Sequence, residues 1–188
     1  NASFFDLTPD IYQNSIDINV NSLVECTRHA LTDMKDRGRG MVVNLASVAG
    51  HVPAPYMTAY CTTKHAVVGF TRSLRAELEF EELPIQVVLV SPGFIETPMV
   101  QKGKEHGFPL WMSFLLTSPQ KTAARIIQGL EKGQLELMPD VSGKMMKKGF
   151  RFFPNTTVRS SKLLLTKKLS DVFSNRYTVP KIKPPKND

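Results

Sequence analysis

Apolar residues recur at helical spacing along the first part of the chain. They are Ile11, Ile16, Val20, Leu23, Val24, Leu31 and Met34. Thr8 and Pro9 precede them, as an N-cap residue and a proline in the first turn commonly do. Gly38 follows a basic last turn, which is typical of a helix end. The pattern predicts one long amphipathic helix.

Two short apolar runs, residues 41–46 and 85–90, predict strands that are buried on both faces. Residues 59–80 between them are rich in Ala, Leu, Glu and Arg, which favour helices. The apolar stripe of this segment consists of Val67, Phe70, Leu74 and Leu78. Together the three segments predict a strand-helix-strand unit.

A further helix is predicted from Ser118, with Pro119 in its first turn, and residues 135–138 predict a third strand. Parallel strands joined by crossover helices predict an α/β fold with a doubly wound, Rossmann-like parallel sheet between two helical layers. Ligands of such sheets bind beyond the carboxyl ends of the strands. Ser47, Pro92 and Gly93 each follow a strand and are therefore placed where chemistry would occur.

Composition narrows the class of protein. The chain has 188 residues, of which 41% are hydrophobic and 22% charged. It contains no apolar run near the ~18 residues that a membrane span needs. The apolar content excludes a disordered chain, and the lack of a long apolar run excludes an integral membrane protein. Cys26 and Cys61 are too few for a disulfide framework, so we expect two buried thiols and a cytoplasmic location.

The charge divides the chain into two regions. Residues 1–138 hold 12 basic and 14 acidic side chains, whereas residues 139–188 hold 12 basic and only 3 acidic ones. We therefore expect a domain over residues 1–138 and a basic carboxyl-terminal extension over residues 139–188. The extension is interpreted as a solvated or subunit-contacting segment, or as a peripheral membrane contact through a helix at residues 161–173. Since no nucleic-acid recognition module accompanies the charge, no nucleic-acid partner is expected.

Ser47, Tyr60 and Lys64 are the candidate chemical groups. Tyr60 and Lys64 are four residues apart on a predicted helix and share one face. An ammonium beside a tyrosine favours the phenolate and makes the hydroxyl an effective acid or base near neutral pH. A serine hydroxyl past the preceding strand can orient a substrate carbonyl or alcohol. Taken alone, the Tyr-x-x-x-Lys pair is a weak signal, because many helices carry it by chance.

The sequence around this pair makes it specific. Asn-Leu-Ala-Ser at residues 44–47 places Ser47 thirteen residues before Tyr60, and Ser-Pro-Gly-Phe-Ile-Glu-Thr-Pro-Met at residues 91–99 follows the next strand. Over about residues 4–138 the chain resembles the short-chain dehydrogenase/reductase family, in its single-domain branch. The resemblance implies that Tyr60 is the acid/base and that Ser47 orients the substrate. It also implies that Lys64 tunes the tyrosine and holds the nicotinamide ribose, and that the main chain of Asn19 anchors a water of the proton relay.

The same resemblance implies NAD or NADP as cofactor. Its nicotinamide end would be bound by Tyr60, Lys64, Pro92, Gly93, Ile95 and Thr97. The family's Gly-x-x-x-Gly-x-Gly turn and its Asn-Asn-Ala-Gly motif do not occur in this sequence. We therefore expect only the carboxyl-terminal portion of the family's domain, which would hold a dinucleotide weakly by itself.

The implied activity is hydride transfer between the nicotinamide and a small-molecule carbonyl or secondary alcohol. Residues 107–116 are rich in Phe, Trp and Leu and occupy the place of the family's substrate lid, which implies a lipophilic substrate. A non-catalytic scaffold protein with the same fold is the alternative. The family's nucleotide-sugar epimerases fit less well, because only 124 residues follow Lys64. Self-association into homodimers or homotetramers is also implied.

The remaining candidate groups point to no further chemistry. His29, His51, His65 and His106 lack metal-ligand spacing, so they are predicted to be surface or helix-face residues and no metal site is expected. Cys61 adjoins Tyr60 but points about 100° away on the helix, which predicts a packing thiol.

Overall fold

The computed structural model describes residues 3–96 and 116–156. Thr97, His106, residues 107–115 of the predicted lid and the predicted helix at residues 161–173 lie outside the described residues. The helices are α1 (Pro9–Ile16), α2 (Ser22–Asp36), α3 (Thr58–Phe80), α4 (Pro119–Glu131) and α5 (Val141–Phe152), and the strands are β1 (Gly40–Leu45), β2 (Ile85–Val90) and β3 (Glu136–Leu137).

The strands form one parallel sheet in the order β1-β2-β3. Gly40 is opposite Ile85, and Leu89 is opposite Glu136. On one face of the sheet, apolar side chains of α2 and α3 pack against Ile85, Val87 and Leu89. On the other face, α4 packs against Val88, Val90 and Leu137. The predicted α/β/α layers and parallel Rossmann-like sheet are therefore confirmed.

The predicted long helix contains a wider turn. A π-helical segment, Asp17–Asn21, joins α1 to α2 without breaking the helical path. There the Ser22 N–H donates to the carbonyl oxygen of Asp17, five residues back. The Asp17 carboxylate also accepts from the side-chain amides of Gln13 at 3.0 Å and Asn21 at 2.7 Å. Polar side chains thus stabilise the π-helical turn. The spacing of apolar residues does not reveal such a turn.

The prediction that both strands are buried on both faces is right for β2 and wrong for β1. Val87, Val88, Leu89 and Val90 are at most 1% exposed. In β1, Met41 is 40% and Leu45 is 55% exposed. The reason is position, since β1 is an edge of the described sheet, and the apolar cluster that α4 covers on the second face consists of β2 and β3 residues, with only Val43 of β1 packed against it among the described residues.

Side chains of α3 add to the main-chain bonds that hold the short strand β3 against β2. Arg72 forms a bidentate ion pair with Glu136, with nitrogen-oxygen distances of 2.6 and 2.8 Å. Arg75 donates from Nε to the Val87 carbonyl oxygen at 2.8 Å and from Nη2 to the Leu135 carbonyl oxygen at 2.6 Å. One arginine therefore ties β2 and the start of β3 to the same helix.

The two cysteines differ in environment. Cys61 is buried in α3, as predicted, and desolvation raises the pKa of its thiol. Cys26 is exposed, so the prediction of a second buried thiol is wrong. It lies outside the row of α2 side chains that pack on the sheet, which the residue type alone does not reveal.

The predicted basic extension begins with ordered structure. Asp140 caps α5 and is 1% exposed, and Ser142 and Gly143 in the first turn of this helix are buried. None of the helices within residues 3–96 and 116–156 combines the length and apolar character that crossing a bilayer requires.

Candidate active site

The carboxyl ends of β1 and β2 bring Ser47 and Pro92 together. The Ala46 N–H donates to the Val90 carbonyl oxygen at 2.8 Å, and the Val48 N–H donates to the Pro92 carbonyl oxygen at 2.7 Å. Ser47 caps the 3₁₀ turn Val48–Gly50, and its Oγ accepts from the Ala49 N–H at 3.2 Å. A hydroxyl on a turn fixed by main-chain bonds is held in a defined place at the strand ends.

Helix α3 places Tyr60 and Lys64 beside that turn. The Lys64 ammonium lies 5.7 Å from the centroid of the Tyr60 ring and donates to the Leu45 carbonyl oxygen at 3.1 Å. Burial lowers the pKa of Lys64, because desolvation disfavours its charged form. The turn packs closely on the helix, since a Cβ at Gly50 would lie 2.5 Å from the Lys64 carbonyl oxygen. The structure thus joins the tyrosine-lysine pair to the end of β1.

Asn19 lies in the π-helical segment Asp17–Asn21, which packs against α3. Its side-chain amide donates to the Ser15 carbonyl oxygen at 3.0 Å. The side chain is therefore used within its own helix. This part of the main chain therefore lies against α3, the helix that carries Tyr60. Such π-bulges are frequent at functional sites.

Asp140 fixes the loop that follows β2, and sequence reasoning missed it. Its Oδ2 accepts from the Gly93 N–H at 2.6 Å. Its Oδ1 accepts from the Gly143 N–H at 2.6 Å and from Ser142 Oγ at 2.7 Å. A Cβ at Gly93 would collide with this carboxylate. The available signal was Asp140 itself, since an aspartate directly before a helix is a common N-cap.

Ile95, another predicted cofactor-binding residue, is half-buried and forms a parallel bridge with Thr117. The Thr117 N–H donates to the Phe94 carbonyl oxygen at 2.9 Å, and the Glu96 N–H donates to the Thr117 carbonyl oxygen at 3.0 Å. These bonds hold the chain up to residue 96, where the first described range ends. The loop after β2 is thus fixed at Gly93 and again at Ile95.

His51 is half-buried and bonded to another loop, which corrects the prediction of a surface or helix-face residue. Its ring is half-buried, and Nε2 lies 2.9 Å from Ser91 Oγ, forming a hydrogen bond between the Ser47 turn and the residue before Pro92. Desolvation, aided by the positive charges of Lys147 and Arg72, lowers the pKa of His51 to about 4. The two side chains line a cavity of about 50 Å³ together with Glu136 and Lys147. No spacing in the sequence indicates this pairing.

His29 and His65 are exposed, as predicted, and His65 Nδ1 lies 2.8 Å from the Cys61 carbonyl oxygen. In the described part of the chain, no three His, Cys, Asp or Glu side chains are arranged to hold a metal ion.

The donor set suits one end of a nicotinamide dinucleotide. A lysine ammonium has three donors, and the bond to Leu45 uses one of them. The other donors and the Tyr60 hydroxyl are suited to the hydroxyls of a ribose. No glycine-rich turn for a diphosphate occurs in the sequence, so the fit is limited to the nicotinamide-ribose end.

Comparisons with known proteins identify the family to which this fold belongs. The chain is 41% identical over 102 residues to a putative ketoacyl reductase of the monensin polyketide synthase from Streptomyces virginiae, covering 53% of this chain and 38% of that protein. It is 35% identical over 137 residues to the oxidoreductase UcpA of Escherichia coli, covering 71% and 51%. An acetoin dehydrogenase structure from Enterobacter cloacae matches with a TM-score of 0.57 and 29% identity, covering 68% of this chain and 51% of that one.

A short-chain dehydrogenase from Burkholderia cenocepacia, solved with NADP, matches with a TM-score of 0.69 over 88% of this chain and 66% of that one, and at 20% identity it shows the shared fold. The chain spans about half or less of the length of the curated relatives described above. The family model for short chain dehydrogenases matches residues 1–107, which is more than half of the chain. The protein therefore belongs to the short-chain dehydrogenase family.

Proposed function

We propose that this chain supplies the catalytic half of an oxidoreductase that transfers hydride between NAD or NADP and a carbonyl or secondary alcohol. The observation that carries the proposal is the placement of the Lys64 ammonium, 5.7 Å from the Tyr60 ring and hydrogen-bonded to Leu45, two residues before Ser47. Relatives named as a ketoacyl reductase and a D-beta-hydroxybutyrate dehydrogenase support this class of substrate.

Each residue of the site has a distinct role in the proposal. A bound nicotinamide supplies or accepts the hydride. Tyr60 donates a proton to the carbonyl oxygen during reduction and removes it from the alcohol during oxidation. The Lys64 ammonium stabilises the negative charge that develops on the phenolic oxygen, and Ser47 Oγ orients the substrate oxygen by a hydrogen bond. The main chain at Asn19 holds a water through which the proton is exchanged with solvent.

The loop after β2 would hold the nicotinamide end of the cofactor. Pro92, Gly93, Ile95 and Thr97 contribute to it, and the bond from Gly93 to Asp140 fixes the first part of the loop. Structural relatives solved with NADP and with NADH support a nicotinamide cofactor of either kind. The aromatic and apolar composition of residues 107–116 supports a lipophilic substrate.

The test replaces Tyr60 with Phe in the protein expressed from its complete reading frame. Reduction of acetoin, a 3-ketoacyl thioester and 2-decanone is followed with NADH and NADPH. We expect kcat/KM to fall by at least about 100-fold, because the variant loses its proton donor. Tyr12→Phe, on α1, is the matched control and should retain activity within about twofold.

Activity of Tyr60→Phe within about tenfold of the parent would disprove the acid/base role. Calorimetric titration with NADH and NADPH tests the alternative of a non-catalytic scaffold. That alternative would be correct if neither dinucleotide bound and no ketone were reduced.

A further inference from the structure

The outer face of α5 carries an exposed row of apolar and basic side chains. Val141 is 63%, Met145 is 67% and Phe152 is 69% exposed. Lys144, Lys148 and Arg151 are exposed beside them. Opposite this face, the first turn of the helix is buried at Ser142 and Gly143. The row is therefore a property of one helix face and is not scattered over the surface.

The geometry of the helix aligns the apolar residues. At about 100° per residue, Val141, Met145 and Phe152 fall within an arc of about 40°. Lys148 lies at the edge of that arc, and Lys144 and Arg151 lie further to the same side. We name the six residues Val141, Lys144, Met145, Lys148, Arg151 and Phe152 the outer stripe.

Charge decides which partner fits the outer stripe. Single exposed apolar side chains are ordinary on protein surfaces, but three aligned ones bordered on one side by cations match a helix that lies in a membrane interface. Helix α5 contains no acidic residue, and residues 139–188 hold 12 basic and 3 acidic side chains. An anionic lipid surface complements both the charge and the apolar row. We propose that α5 contacts an anionic membrane through the outer stripe.

A basic groove next to the stripe fits the phosphates of such a surface. The groove measures about 390 Å³, and its lining includes Arg125, Lys132, Lys144 and Val141. Glu136, which also lines it, is neutralised by its ion pair with Arg72. Arg125 donates from Nη1 to the Pro139 carbonyl oxygen at 3.0 Å, which orients its guanidinium at the groove. Lys144 and Val141 belong to both features, so headgroup contacts and apolar insertion would occur side by side.

The helix is also fixed in place before any membrane contact. Asp140 bonds the first turn of α5 to Gly93 in the loop after β2. The outer stripe is therefore presented by a firmly attached helix, so binding needs little additional ordering of the chain. The bond from Gly93 to Asp140 also places the proposed membrane contact next to the loop of the candidate active site.

The test measures partition of the complete protein onto vesicles. Co-sedimentation with phosphatidylcholine vesicles containing about 30% phosphatidylserine is compared with pure phosphatidylcholine vesicles at low salt. We expect binding to the anionic vesicles and at least about tenfold weaker binding to the neutral ones. Phe152→Glu should weaken binding to the anionic vesicles by about tenfold or more, since it removes an apolar anchor and adds a repelled charge.

Phe80→Glu is the matched control, because Phe80 is 90% exposed at the end of α3 and the charge change is identical. It should change binding by less than about twofold. Replacing Lys144, Lys148 and Arg151 together with Gln should weaken binding by about fivefold per cation. Replacing Lys35, Arg37 and Arg39 with Gln removes the same charge from the end of α2 and should have a much smaller effect.

A solvent-sensitive dye on Met145→Cys, in a Cys26→Ser background, reports contact directly. We expect a blue shift of its emission on anionic vesicles. The proposal is overturned if the protein stays in solution, or if the dye remains in water while the protein sediments. Equal effects of Phe152→Glu and Phe80→Glu would also overturn the proposal. Binding would then be explained by a general attraction to polyanions such as nucleic acid.

Discussion

His51 shows how one side chain can join loops that are forty residues apart in the chain. Its hydrogen bond to Ser91 connects the Ser47 turn with the strand end before Pro92. The bond forms in a half-buried environment next to Lys147 and Arg72, so a charged imidazolium would be unfavourable there. The folded protein therefore favours the neutral imidazole over the charged one.

The preference for a neutral His51 makes the stability of the fold depend on pH. The pKa of His51 is lowered from 6.5 to about 4, so between these values the unfolded chain binds a proton that the folded chain does not. The free energy of unfolding should fall as the pH falls from 6.5 towards 4 and stay unaffected above that window. Because the ring is only half-buried, we expect the loss from this group to be about 1 kcal/mol.

Replacing His51 with Gln should therefore reduce the loss of stability between pH 7 and pH 4.5, relative to the parent protein. Urea unfolding at several pH values measures it. His29→Gln, at an exposed position of α2, is the control and should leave the pH dependence unchanged. Parallel stability curves for His51→Gln and the parent would contradict the assignment.

At the scale of elements, α5 is attached to the sheet through its cap. Asp140 accepts hydrogen bonds from Gly93, Ser142 and Gly143, and is 1% exposed. Asp140→Ala should lower the free energy of unfolding by about 2 to 4 kcal/mol, because it removes the carboxylate that accepts from the Gly93 and Gly143 N–H groups. Ser118→Ala, which removes the exposed cap of α4, should cost only about 1 kcal/mol.

Amide hydrogen exchange locates the effect. In Asp140→Ala, exchange should increase most at Gly93 and through the first turn of α5. Equal losses of stability in the Asp140 and Ser118 variants would show that the carboxylate acts as an ordinary helix cap and does not hold the loop after β2.

At the scale of the whole molecule, side chains of α3 hold the sheet together at its short end. Since β3 has only two residues, main-chain pairing there is limited to a few bonds, including those from the Leu89 and Ser91 N–H groups to the Leu135 and Leu137 carbonyl oxygens. Arg75, 15% exposed in its side chain, donates to main-chain oxygens of both Val87 and Leu135. Self-association through the helices that carry Asn19 and Tyr60 stays a prediction from the family resemblance.

Replacing Arg75 with Met should lower the free energy of unfolding by about 2 kcal/mol, because two charge-assisted bonds to partly buried carbonyl oxygens are lost. Arg37→Met removes an exposed arginine that pairs with Asp33 within α2 and should cost less than about 0.5 kcal/mol. Denaturant unfolding compares the two. A loss for Arg75→Met no larger than that for Arg37→Met would show that β3 is held by other contacts.

The sequence by itself determined the features that depend on local spacing. Helical and strand periods predicted α3, β2 and α4 within a few residues, and the order of these elements implied a parallel sheet. Tyr60 and Lys64 were predicted to share a helix face because they are four residues apart, and the structure places the Lys64 ammonium 5.7 Å from the Tyr60 ring. Such relations follow from the geometry of one element and need no tertiary information.

Only the tertiary structure decided the features that depend on which elements pack together. The exposure of Leu45 follows from the place of β1 at the edge of the described sheet, and that of Cys26 from its position outside the row of α2 side chains that pack on the sheet. The bond between His51 and Ser91 and that between Gly93 and Asp140 join residues forty and forty-seven positions apart. Neither period nor composition encodes such contacts, because they form when separate strand ends and a helix start meet at one edge of the sheet.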